Sequence, residues 1–189
     1  SNEEETHFGI LNIGSGGTGI VTAESGGELE ADGILLGPGG GGRGVLTVRD
    51  ATATSTRLGI TVGDGGDSAS LDLEGASLVQ SASEFFVGAG GGPATVTLTG
   101  DATDAPARIV VPGILGIGIA ATESSVTLVR NATLNANEII VGGLAPGLLA
   151  ILENSVVTSP TTTVRQEGLL IGDVTVPAKQ AKGADEPNL

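Results

Sequence analysis

A short aliphatic strand closed by glycine recurs along the 189-residue chain, and no other feature restricts the fold as much. It reads ILNIG at 10–14, GILLG at 33–37, GITVG at 59–63 and EFFVG at 84–88, then ILGIG at 114–118, EIIVG at 138–142 and GLLIG at 168–172. The closing glycines lie 23, 26, 25, 30, 24 and 30 residues apart. Self-similarity at such a period marks a repeat architecture, and its variation is what loops of different length leaving a regular body produce.

A second strand follows each glycine after a Gly-rich or polar turn: GVLTVRD, ASLDLEG, ATVTLTG, SSVTLVR and LLAILEN. Val96 and Leu98 alternate with Thr97 and Thr99, and Leu71 and Leu73 with Asp72 and Glu74. This is the period of two of a strand with one buried and one wet face. A third column pairs a turn former with a small residue: Gly26-Gly27, Asp50-Ala51, Gly75-Ala76, Asp101-Ala102, Asn131-Ala132 and Asn154-Ser155. Gly, Asn and Asp tolerate the left-handed backbone of sharp corners.

A unit of about 25 residues cannot bury its own apolar face, but stacked units can, each strand pairing with its equivalent one coil away. The sequence therefore predicts an all-β fold, a right-handed parallel β-helix (β-solenoid) of about seven coils. Handedness follows from the rule for parallel crossovers, and seven coils give a length on the order of 35 Å. Residues 1–7 read as a polar N-terminal extension, 8–176 as the solenoid repeat domain and 177–189 as a flexible tail or linker. With no amphipathic capping helix in the pattern, the chain reads as a piece of a longer solenoid.

Composition agrees. The chain has 33 Gly, three Phe and neither Trp nor Tyr, so its core is aliphatic. A narrow stack of branched side chains does not need the aromatics that fill the centre of a spherical domain. The net charge of −14 disfavours nucleic acid and anionic membrane as partners and favours solubility. Without cysteine there is neither a disulfide nor a thiolate metal site. No apolar run approaches 18 residues, so direct membrane insertion of this segment is not expected.

Candidate chemistry is sparse. Asp72 and Glu74 share a strand face, and paired carboxylates cleave glycosidic bonds. Neighbouring coils, however, place Thr97/Thr99 and Thr127/Val129 opposite them, and no Trp or Tyr is present to stack a sugar. They read as a solvated strand face. His7, the single histidine, lies in the polar extension, which disfavours a Ser-His-Asp triad. Gly39 to Gly42 lack the Lys-Ser/Thr of a phosphate loop and read as a flexible corner. Asp64 and Asp67, in GDGGDSASL, loosely resemble a calcium-binding nonapeptide, but the equivalent turns GPGGGG and GAGGGP do not repeat it. ATATST at 51–56 and SPTTTV at 159–164 raise ice binding, for which the columns show no Thr on every coil. Asn131-Ala132-Thr133 is a glycosylation sequon. No catalytic, cofactor-binding or metal residue is assigned, and no cofactor is expected.

The repeat unit, above all GILLGPGGGGRGVLTVRDATATSTRLGITVGDGG at 33–66 with GLLIGD at 168–173, resembles bacterial autotransporter passengers and autotransporter-associated β-strand repeat proteins. The resemblance covers most of residues 8–176. It implies a non-catalytic structural or adhesive segment, secreted or at the bacterial cell surface and anchored to the outer membrane through a further part of the chain. Stalk, scaffold and self-associating surface are the roles it suggests, with a protein or glycan surface ligand, or a second copy, as partner. A carbohydrate-active β-helix (lyase or glycosidase) and a phage fibre segment are the alternatives.

Overall fold

The computed structural model describes residues 9–90, 92–101, 105–120, 123–165, 168–172 and 174–175. The polar extension with His7, and the tail at 177–189, lie outside them. Among the described residues all regular structure is strand, and every strand-to-strand ladder is parallel. The chain is a parallel β-solenoid with three faces.

The first face stacks Ile10–Ile13, Gly33–Leu36, Ile60–Asp64 and Phe85–Gly90. It continues through the C-terminal halves of Ala107–Ile117 and Ala132–Val141 to Thr161–Val164. The second face is a separate seven-stranded sheet of Thr18–Glu24, Arg43–Arg49, Ser68–Glu74, Ala94–Thr99, Ser124–Arg130, Gly147–Ile151 and Gly168–Ile171. The third face stacks Glu28–Ala31, Thr52–Ser55 and Leu78–Gln80 on the N-terminal halves of the two long strands, then Val156–Thr158 and Val174–Thr175. Each face thus has seven strands, joined by six turns. Six steps of about 4.8 Å give an axial length of about 29 Å, a little short of the expected value.

Alternation builds the core. On the second face Leu46, Leu71, Val96, Val126 and Leu149 stack in one inward column, and Val48, Leu73, Leu98 and Leu128 in the next; all are buried. Burying each contributes about 1.5–3 kcal/mol. Phe85 is the one aromatic exception, fully buried between Ile60 and Leu115.

The closing glycines Gly14, Gly37, Gly63, Gly88, Gly118 and Gly142 all adopt positive φ, as do Gly26, Asp50, Gly75, Asn131 and Asn154 at the next corner. Asp101 does not. Here the coil is 30 residues long, from Val96 to Val126, and the small stacking residue is Ala107, paired with Ala132, in place of Ala102, which lies outside the described residues. Likewise Ser77, and not Ala76, occupies that column, because Leu78 stacks on Thr52.

The last coil also departs from expectation. GLLIG at 168–172 does not continue the first face; its strand pairs with Gly147–Ile151 on the second. The first-face place falls to Thr161–Val164, with Val164 stacked on Val141. The aliphatic-then-glycine signature is shared by both faces, so the pattern alone is one strand out of phase here. Thr162 stacks on Ile139, and its Oγ1 is buried without a hydrogen-bond partner. A buried hydroxyl in an aliphatic column weakens this rung.

A serine column unmarked by the repeat closes the corner from third to first face. Ser55 Oγ donates to Leu58 O (2.8 Å), Ser81 Oγ to Glu84 O (2.7 Å) and Ser159 Oγ to Thr161 O (2.7 Å). Where Val111 and Ala136 occupy this place, the strand bends through a register shift and needs no turn.

Gly63 tests the corner. Its φ is +82°, and a Cβ there lies 2.8 Å from Ala94 Cβ one coil away. Gly63→Ala is expected to cost about 1–3 kcal/mol through backbone strain, before any adjustment of Ala94. Urea melts check this; a midpoint equal to wild type would contradict the stacked corner.

Candidate functional site

Since the inward columns are committed to packing, chemistry is left to the outward ones. On the second face Thr22, Thr47, Asp72, Thr97 and Thr127 share one outward column. Beside it, two residues along each strand, Ser70, Thr95 and Ser125 share another. Threonine thus ranks along part of this column, without standing on every coil. It is interrupted by the carboxylate of Asp72 and ends at Ala150 and Ile171.

Asp72 is half-buried and not simply solvated. Burial pushes its carboxyl above the ordinary value of 3.8, with the charge of Glu74 adding to the shift, while hydrogen bonds from Thr97 and Ser70 oppose it. Glu74 is exposed and ion-paired, accepting from Arg49 Nε at 2.6 Å. That hydrogen bond and charge hold the Arg49 guanidinium above its ordinary pKa. Glu24, Arg49 and Glu74 form an outward ladder of alternating sign. A register shift after Leu98 pairs Thr99 with Arg130, so Arg130, and not Val129, continues that ladder.

One carboxyl half-buried and raised beside another that is exposed and ion-paired places two carboxyls in different environments on one face, as acid–base catalysis uses. Neither group lines either of the two cavities along this face, however. One cavity, about 550 Å³, runs along the edge of the second face between the corner residues Pro93, Glu123 and Pro146 and the outward Thr95, Ser125, Leu148 and Leu169. A smaller one, about 190 Å³, shares Pro93 and Thr95 with it and extends past Ser68 and Ser70 to Arg43. The two adjoin at Pro93 and Thr95 as a furrow along the solenoid axis, rimmed by hydroxyls, prolines and aliphatics with Glu123 and Arg43 among them.

The remaining candidates resolve as parts of the scaffold. The turn at Gly39 to Gly42 is a hydrogen-bonded corner: Gly39 N–H donates to Asp64 O, and Asp67 N–H donates to Gly42 O. These bonds tie its first amide and its last carbonyl to the neighbouring coil. Gly42 and, one turn on, Gly92 answer to contact, since a Cβ would run into the carbonyls of Gly14 and Asp67, while Gly39 to Gly41 face open space. Asp64 and Asp67 sit in this stacked turn, and among the described residues no three His, Cys, Asp or Glu side chains gather to hold a metal ion. Asn131 is a corner residue (φ 42°) whose Nδ2 donates to Asp101 O at 2.9 Å, so the sequon asparagine is engaged in the fold. Among the described residues no helix is long and apolar enough to cross a membrane.

Comparison of the chain with protein-family models, with curated proteins and with solved structures finds no match. The outward columns and the furrow are thus the basis for a functional reading.

The environment of Asp72 generates a pH dependence. A carboxyl whose folded pKa is raised binds its proton more tightly in the folded state, so ionisation disfavours folding. That penalty is absent below the ordinary value and complete above the folded one, so stability falls as pH rises through the interval beginning near 3.8. Asp72→Asn keeps an acceptor for Thr97 and removes the charge. It is expected to raise the thermal midpoint at pH 7 and to leave it unchanged near pH 3. Equal midpoints at pH 7 would show that burial does not penalise this carboxylate.

Proposed function

We propose that this chain is a non-catalytic structural and adhesive segment of a bacterial surface-exposed or secreted protein, built on the autotransporter-passenger plan. The observation that carries the reading is the continuous second face, whose seven strands are hydrogen-bonded one to the next along the axis with one register shift, after Leu98. A continuous parallel ladder makes a stiff spacer, because no coil moves without breaking hydrogen bonds on three faces at once. Its outward side chains are short: hydroxyls and aliphatics with few rotamers to immobilise on contact. The furrow beside them suits an extended, largely uncharged glycan or peptide lying along the axis, with Thr95 and Ser125 as hydrogen-bonding groups and Pro93 and Pro146 as apolar wall.

A carbohydrate-active enzyme is the second reading, and the divergent environments of Asp72 and Glu74 are what favour it. Against it stand the open face on which both lie and the commitment of Glu74 to Arg49.

Surface display separates the two. Displayed on a non-adherent bacterial host, the chain is expected to increase adherence to glycan- or protein-coated surfaces. Ser125→Arg, which obstructs the furrow, should remove most of that gain, and Glu30→Arg on the third face should not. Depolymerisation of a polysaccharide panel by the purified chain, lost in Asp72→Asn, would replace the adhesive reading with the enzymatic one.

A further inference from the structure

The outward column that begins at Ile20 has a symmetry that packing within one chain does not require. Ile20 and Val45 open it, Ser70, Thr95 and Ser125 fill its middle, and Leu148 and Leu169 close it. Read from either end it runs aliphatic, aliphatic, hydroxyl, hydroxyl, hydroxyl, aliphatic, aliphatic. Its ends are the two most exposed aliphatics of the sheet, Ile20 at 68% and Leu169 at 55% accessible; Ile171, in the neighbouring column, is the third at 45%.

We propose that the second face is a self-complementary interface on which a second copy of this chain packs antiparallel, about a two-fold axis that runs along the strands through Thr95. This rests on the structural and adhesive reading above and names its partner. The operation maps the first rung onto the last and leaves each column facing itself. Ile20 then meets the partner's Leu169, Val45 the partner's Leu148, Ser70 the partner's Ser125, and Thr95 its own copy. An isologous contact demands such self-complementarity, and an arbitrary column does not have it.

The neighbouring columns match at their centres, while at its ends the threonine column sets Thr22 against the partner's Ile171 and Thr47 against the partner's Ala150. Asp72 meets the partner's Thr127, a hydroxyl able to donate to the carboxylate, and Thr97 meets its own copy. Glu74 meets the partner's Arg130, so charges of opposite sign oppose each other at the rim. The seven strands of this face carry Arg43, Arg49 and Arg130 against Glu24, Asp72 and Glu74, and are therefore neutral in a chain of net charge −14. Two copies can approach through this face without the repulsion that the rest of the surface imposes. A face about 29 Å tall and about 20 Å wide buries roughly 600 Å² of each copy. The total, on the order of 1,200 Å², lies at the lower edge of specific interfaces and gives a reversible dimer.

The absence of cysteine makes the test direct. Sedimentation equilibrium should show a concentration-dependent monomer–dimer exchange. Under mild oxidation Thr95→Cys, on the axis, should form a covalent dimer at least about tenfold faster than Glu30→Cys on the third face. Val45→Lys and Leu148→Glu should each weaken dimerisation by about tenfold or more, and combining them should restore it, because opposite charges then meet. A chain that stays monomeric to millimolar concentration, equal cross-linking at positions 95 and 30, or a double variant as weak as the singles would each overturn the interface. If the displayed chain nonetheless confers adherence, the adhesive reading stands and only the self-pairing falls; loss of both removes both.

Discussion

Hydrogen bonding from coil to coil is the constraint on which the rest of this structure depends. A strand in a solenoid finds its partners in the chain one turn earlier and one turn later, about 4.8 Å away. Every residue on a rung is therefore held against its equivalents, and whatever stands in a column must tolerate copies of itself above and below. Aliphatics do so inside the narrow core, where Leu46, Leu71 and Val96 stack without a gap. Glycine does so at the corners, where Gly42, Gly66 and Gly92 leave room for nothing larger than hydrogen against the adjacent turn. The Gly-rich segments, which look loose in the sequence, hold close backbone contacts at Gly42, Gly66 and Gly92 and spend the amides of Gly39, Gly65 and Gly92 on neighbouring coils.

This explains what was legible in the sequence. A column repeats because stacking repeats it, so strands, corners and inward alternation could all be read from Gly14 to Gly142 by aligning coils. The failures share one cause. Where the coil length changes, alignment by pattern and alignment by hydrogen bonding diverge. GLLI at 168–171 has the signature of the first face but the register of the second, and the long coil after Val96 moves the corner's small residue to Ala107. Columns that skip coils were hidden as well. Ser55, Ser81 and Ser159 cap a turn that the fourth and fifth coils replace with a bent strand, so no constant interval marks them.

The outward surface was less legible, for a physical reason. Nothing in the core dictates an outward residue beyond its compatibility with the neighbours on either side. Those neighbours are some 25 residues away in the chain, so a column such as Thr22, Thr47, Asp72, Thr97 and Thr127 is visible only once the register is known. Asp72 shows what a foreign residue does in such a column: flanked by short side chains, it is half-buried by them, and its proton affinity rises. Glu74, two residues on, lies beside a column of alternating charge and finds Arg49. Two adjacent carboxylates on one strand thus acquire different chemistry from coils that are distant in sequence.

The same logic places the chain's acidity. A parallel ladder ends in strands whose free edges invite further pairing, and flat aliphatic faces invite stacking; charge is a common defence against both. Here the defence is uneven. Glu28 and Glu30 stand exposed on the third face, and Glu84, Glu123, Asp101 and Glu153 on corners and loops, whereas the strands of the second face balance their charges and expose aliphatics at both ends. If solubility alone had shaped this surface, the widest regular face would need the most charge. Its neutrality, together with an outward column that reads alike from both ends, is the pattern of a face kept for contact, in contrast to the third face with its exposed Glu28 and Glu30.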